Sequence, residues 1–489
     1  MKHLYRPKVV ILAAFLFLFV NFSHAQTASR AAKVDQTTVS KDSLIEERNV
    51  RAEMGFLASD ALQGRGSGTQ FEWLAAQYIG SQLQQFGVEP AGETDASGNK
   101  TYLQTVNVTR NTFAANPTLT YKIKDSSVIL EHGKDLLIFR MNAAQIGGNL
   151  QKVTSSDTKP KAGAIIFVKF DESADTAKII QNPQKFLDEG ASAVIIEMPL
   201  PPEQWKNLAA RPISFTTISG GADKKTNPSS LIAVSKDAAE KLAQIADGTP
   251  IKIKGELNPP KTLQTWNAVG EIKGTDARLA TEVILLSAHL DHLGVRENAP
   301  GDDKIFNGAD DDASGCIAVM ELARVLGKGA RPKRTVQFAF FGSEESGGFG
   351  AQYFVSNLAF PKDHLVANLE FEMIGRPDEK VAADELWLTG YERSNLGAEL
   401  AKRGAKLVND PHPEQNFFQR SDNYTLARQG VIAHTVSSFG LHTDYHHASD
   451  EIKTIDFKHM TRAINSMVEP VIWLVNSDFK PVWFEGMKP

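Results

Sequence analysis

The chain has 489 residues, more than the roughly 250–300 that one hydrophobic core usually serves, so two folded units are expected. Its composition is 42% hydrophobic and 23% charged, with no excess of Gly or Pro, which excludes collagen, coiled coil and wholesale disorder. A formal net charge of −5, with Lys and Arg in no block longer than a pair, excludes the basic face that a nucleic-acid partner requires.

The first element is a leader. Lys2, Arg6 and Lys8 precede an apolar run over residues 9–20, and Ser23-His24-Ala25 then leads to Gln26. A basic head, a short apolar middle and a small-x-small exit are the pattern of a secretory signal peptide, expected to span 1–25 and to be cleaved after Ala25. The apolar run falls short of the roughly 20 residues that cross a bilayer, so no stable membrane anchor is expected after cleavage. A periplasmic or secreted destination follows. Cys316 is the single cysteine, which excludes an intrachain disulfide, and with Ile317 and Met320 it reads as a core thiol.

Residues 44–90 read as helical, with Leu44, Val50, Met54, Leu57, Leu62, Ala75, Ile79, Leu83 and Phe86 carrying the apolar spacing before Gly87. The stretch 112–261 has another texture. Short β-rich runs at 163–168, 193–197 and 231–234 are separated by polar connectors and one helical stretch, 176–187, and Pro259-Pro260 closes the region. It reads as a β-rich α+β insert that divides a catalytic unit into 26–111 and 262–489. From Thr262 onward strands and helices alternate: strand 283–286, helix 315–326 closed by Gly327, strand 336–341, a helical stretch to Leu358, strands 365–371 and 431–436, and an amphipathic helix 455–475. The predicted fold is α/β, a mostly parallel or mixed central sheet flanked by helices, with its ligand site beyond the carboxyl ends of the strands.

Ligand-type residues sit at those ends. Strand 283–286 runs into His289-Leu290-Asp291, where the imidazole can face a metal while the carboxylate holds its other nitrogen. Alone, His-x-Asp is commonly a surface pair. Asp310-Asp311-Asp312, between Gly308 and Gly315, could be an over-acidic helix cap, but three consecutive carboxylates among small residues suggest a cation. The spacing does not fit a hand-type calcium loop. Strand 336–341 is followed by Glu344-Glu345, which point in different directions, so one can bind metal while the other moves a proton. Glu372 closes the next strand, and His446 lies in the polar loop Asp444–Asp450 before the last helix.

In this order the segments resemble metallopeptidase family twenty-eight, the dizinc aminopeptidases and glutamate carboxypeptidases, over roughly 44–110 and 262–480. Leu57-Ala58-Ser59-Asp60 and Gly64-Arg65-Gly66-Ser67-Gly68 are similar to that family's N-terminal segment, and the insert is similar to its protease-associated domain. The resemblance implies two Zn2+ per chain, with Mn2+ or Co2+ able to take the same ligands. One ion would lie on His289 and Glu372, the other on Glu345 and His446, with Asp311 bridging. Glu344 would be the general base and Asp291 the partner of His289. Two departures stand out. Glu372 occupies a position that is usually Asp, with Glu370 as a weaker substitute, and Asn423 stands where the family often has His. Arg420, Ser421, Asp422 and Tyr445 are candidate substrate contacts. Peptides are the implied substrates, with removal of amino-terminal residues favoured over carboxypeptidase or dipeptidase action. A one-zinc glutaminyl-cyclase-like acyltransferase using Asp311, Glu345 and His446, and an inactive receptor-like module, are the alternatives.

Overall fold

The computed structural model describes residues 45–219 and 228–489. The leader and its cleavage point at Ala25 lie outside the described residues. The main sheet has ten strands and is mixed. At its centre Val283–His289 lies between Thr335–Phe341 and Leu365–Phe371, parallel to both, and Ile432–Ser437 is parallel to Leu365–Phe371 on the outer side. All residues of Val283–His289 and Thr335–Phe341 are buried, which is why Val283–Leu286 reads in sequence as a continuous apolar run and 336–341 as one broken only by Gln337. Beyond Thr335–Phe341 the pairing turns antiparallel, first with Lys261–Ile272, then with Leu103–Thr112 and Ser214–Ile218.

Helices pack on this sheet. In Gly315–Lys328 every residue from Gly315 to Leu326 is buried, including the Glu321–Arg324 ion pair at 2.7 Å. The helix passes through Gly327 instead of ending there. A Cβ at Gly327 would lie 2.3 Å from the Phe86 carbonyl oxygen, so this glycine serves the close approach of the preceding helix, Gln70–Gln85, and its cap. The last helix, Phe457–Asn476, starts two residues later than its apolar pattern. Asp456 caps it by accepting hydrogen bonds from the Lys458 and His459 N–H groups.

A second sheet of eight strands is built from residues 118–254, with a core of its own that includes Leu119, Ile165, Ile195, Ile232 and Ile251. Ile165–Val168, Ala193–Glu197 and Ser230–Val234 are parallel neighbours within it. The helical stretch 176–187 divides into Ala174–Gln181 and Gln184–Asp188, because Pro183 starts a new turn. One strand of this intervening stretch, Ser214–Ile218, joins the main sheet instead. Among the described residues no helix is long and apolar enough to cross a membrane.

Candidate metal centre

Three parallel strands deliver their last residues to one edge of the main sheet. Val283–His289 ends in His289, Thr335–Phe341 leads to Glu344 and Glu345, and Leu365–Phe371 leads to Glu372. The chain turns sharply around these groups. Ser343 (φ 54°), Met373 (φ 51°) and His446 (φ 58°) all occupy the left-handed region, which costs side-chain-bearing residues of order 1–3 kcal/mol and is typically tolerated where aim matters.

The three consecutive aspartates have three different surroundings. Asp310 accepts from the Gly375 N–H at 2.7 Å and lies 2.9 Å from His442 Nε2. Asp312 accepts from the N–H groups of His289, Gly315 and Met373, tying two strand ends to the start of a helix. Both outer carboxylates are structural braces. Asp311 alone faces the cluster, with Oδ1 3.2 Å from His289 Nε2 and Oδ2 3.2 Å from His446 Nε2.

Around Asp311 the ligand-type atoms form two groups. His289, Asp311 and Glu372 make one, with His289 Nε2 3.9 Å from Glu372 Oε1. On the other side His446 Nε2 lies 3.2 Å from Glu345 Oε2, and His292 joins Asp311 and Glu345. His289 Nε2, Asp311 Oδ2 and Glu345 Oε1 are buried and have no hydrogen-bond partner among the described residues. Buried polar atoms are nearly always paired, and a ring of unpaired nitrogen and carboxylate acceptors is what a divalent cation satisfies. The residues fit such a cation.

The support around the cluster comes largely from the segment 60–72. Arg65 is fully buried, has φ 47°, and donates to the carbonyls of Leu57, Leu290, Asn307 and Gly308, so one guanidinium fastens both metal-side loops. Ser67 donates to Asp291 Oδ2 at 2.5 Å, and the Glu344 N–H donates to Asp291 Oδ1 at 2.9 Å. Nδ1 of His289 lies nearer the Asp291 main-chain oxygen (3.2 Å) than its carboxylate (3.9 Å), so the carboxylate orients Glu344 more directly than it orients the imidazole. Glu72 accepts from Thr265 Oγ1, the Ser343 N–H and the Gly68 N–H, fixing the turn that aims Glu344. Asp450 accepts from the Asp310 and Asp311 N–H groups.

So many carboxyl groups in so little water disturb one another. Burial first, then Asp422, Glu372 and Glu345, push Glu344 well above its ordinary value despite His289. Burial raises Glu372 to about 7, with Glu370 and Asp311 adding to it. Asp311 goes the other way. Burial opposes ionisation, but His292, His289 and His446 hold it well below the usual range. Glu370 spends Oε2 on the Asn423 N–H and Thr435 Oγ1, which leaves Glu372 as the carboxylate of this strand nearer His289.

A pocket opens beside Glu372, walled by Met373, Trp387, Phe417, Phe439 and Tyr445, with Thr389, Thr435 and Ser437 supplying hydroxyls. Arg420 and Ser421 line it too, whereas Asp422 is buried. Sequence reasoning passed over three residues. Glu72 on an amphipathic helix reads as surface, Trp387 belongs to a strand of only three residues, and His292 stands one place beyond His-x-Asp. The run His289-Leu290-Asp291-His292 was the available signal for the last.

Residues 267–470 match peptidase family M28. An aminopeptidase of Pseudomonas aeruginosa is 35% identical over 121 residues, covering 24% of this chain and 20% of that protein. Leupeptin-inactivating enzyme 1 of Streptomyces exfoliatus is 26% identical over 251 residues, covering 46% and 54%, and aminopeptidase YwaD of Bacillus subtilis is 24% identical over 258 residues, covering 51% and 52%. The chain thus spans about a fifth to a half of the length of these curated relatives. Among solved structures, an aminopeptidase from Aneurinibacillus sp. strain AM-1 aligns with a TM-score of 0.49 at 18% identity, over 91% of this chain and 96% of that one.

Proposed function

From a chain that belongs, over residues 267–470, to peptidase family M28, we propose a zinc-dependent exopeptidase that removes amino-terminal residues from peptides. The observation that carries this reading is the pair of ligand groups sharing Asp311, with the free carboxylate Glu344 beside them and an apolar pocket opening at Glu372. His289, Asp311 and Glu372 would hold one ion, and Asp311, Glu345 and His446 the other. Such a pair supplies Lewis acidity toward the scissile carbonyl and acidifies the attacking water toward about pH 7.

Glu344 handles the proton. Asp311, Glu345 and Glu372 would be the ligands, Asp291 is taken by Ser67 and the Glu344 N–H, and Glu370 Oε2 by Asn423 and Thr435; of the carboxylates that remain, Asp422 is buried, whereas Glu344 adjoins the ligand Glu345. Glu344 takes a proton from the attacking water and passes it to the departing amine.

The walls of Met373, Trp387, Phe417, Phe439 and Tyr445 suit an apolar terminal side chain. Beyond the three carboxylates that the ions would neutralise, Glu344, Glu370 and Asp422 remain nearby and favour a substrate amine over a carboxylate. Arg420 on the lining is the one observation that favours the opposite polarity, a carboxypeptidase. The eight-stranded unit is read as a protease-associated insert, and the leader as the signal for export. Aminoacyl anilides and N-acylated peptides, assayed with and without chelator, test the reading. Hydrolysis of leucyl and phenylalanyl anilides, abolished by chelation and absent on N-acylated substrates, is expected. Cleavage of carboxy-terminal residues from the N-acylated peptides would transfer the assignment to Arg420.

A further inference from the structure

His292 is fully buried, and neither of its ring nitrogens has a hydrogen-bond partner among the described residues. An ordinary core histidine looks different. His434, equally buried, has Nε2 2.7 Å from Ser394 Oγ and Nδ1 2.7 Å from the Thr389 carbonyl oxygen. Leaving a buried polar atom unpaired costs about 1–3 kcal/mol, so the position of His292 calls for a partner.

Its surroundings say which kind. Nδ1 lies 2.9 Å from Glu345 Oε1 and 3.7 Å from Asp311 Oδ2, both also unpaired. Tetrahedral ligands about 2.0–2.1 Å from zinc stand roughly 3.3 Å apart, so the three atoms have the spacing of neighbours around one ion. The ring is seated for this. The His292 N–H donates to the Arg65 carbonyl, and Gly308 packs against the imidazole so closely that a Cβ there would lie 2.5 Å from Cγ.

We infer that His292 is itself a ligand, through Nδ1, of the ion held by Asp311, Glu345 and His446, an inference that rests on the two-ion reading above. The two sides are then unequal. The Glu345 side would have four protein ligands, Asp311, Glu345, His446 and His292, and the His289–Glu372 side, which the pocket adjoins, would have three.

The test is to strip the full chain of metal and titrate zinc back against a chromogenic chelator, for the wild type, His292→Gln and His292→Ala. The wild type takes up two ions. In both variants the affinity for one ion falls at least about 10-fold, while the other is bound as before. Wild-type affinity for both ions in the variants overturns the inference. A wild-type chain that takes up fewer than two overturns the two-ion reading with it. Should the variants fail to fold, X-ray absorption on the zinc-loaded wild type decides, with three imidazoles shared between two ions expected and only two contradicting the assignment.

Discussion

Glu344 and Glu345 are adjacent and chemically alike, yet the turn at Ser343 sends one carboxylate toward His446 at 3.2 Å and leaves the other free. One substitution separates them. Glu344→Gln should retain its metal and its melting temperature but lose about 10²–10⁴-fold in kcat, read from anilide hydrolysis alongside elemental analysis. His434 gives a prediction independent of metal. Burial lowers its pKa to about 4, so between that value and its ordinary 6.5 the unfolded chain binds the proton that the folded chain refuses. Stability from keeping this ring neutral is complete above about pH 6.5 and is lost as pH falls toward 4, about 3 kcal/mol across the window. Urea unfolding of wild type and His434→Gln at pH 7 and pH 4.5 should show the wild type losing the greater share, and parallel losses would refute the assignment. At this scale the family resemblance named His289, Asp311, Glu345, Glu372 and His446 as one set, and these side chains lie in one cluster. What sequence could not convey was pairing. Nothing in His-x-Asp reveals that the Asp291 carboxylate is taken by Ser67 and the Glu344 N–H, because those partners arrive from 53 and 224 residues away.

Between elements, the cluster is held by buried charges that carry no ligand role. Arg65 spends its guanidinium on four carbonyls from three segments, and the motif Gly64-Arg65-Gly66 is shaped for that contact, since a Cβ at Gly64 would lie 2.2 Å from the Phe306 carbonyl oxygen. Arg65→Met removes donors from four buried acceptors and should destabilise the chain by about 3–5 kcal/mol, measured by denaturant unfolding. A loss below 1 kcal/mol would mean that the bracing is not energetic. Glu72 braces the opposite loop. Glu72→Ala should lower kcat more than it lowers stability, because the Ser343 turn that aims Glu344 loses its anchor. The central strands were legible because they are buried on both faces. The short strands Leu386–Leu388 and Leu407–Asn409 were not, because three residues are too few to show a period.

For the molecule as a whole, strand–helix alternation sufficed to read a mixed α/β sheet, and a second, eight-stranded sheet lies within the β-rich stretch. The excursion of Ser214–Ile218 from that stretch into the main sheet was invisible, because its pairing with Leu103–Thr112 spans about a hundred residues and leaves no local pattern. Ions that bind the folded cluster and not the unfolded chain must also stabilise the fold, by about 2.7 kcal/mol when present at 100 times their dissociation constant. Calorimetry with zinc and with chelator should show this difference, and equal melting temperatures would deny the ions a folded site. Whether two ions share one carboxylate is decided by the metal content of the dialysed chain beside that of Asp311→Asn. Two zinc ions are expected in the wild type, with loss of both ions and of anilide hydrolysis in the variant, since one carboxylate would serve both sides. Retention of two tightly bound ions without Asp311, or a single ion in a fully active wild type, would contradict it.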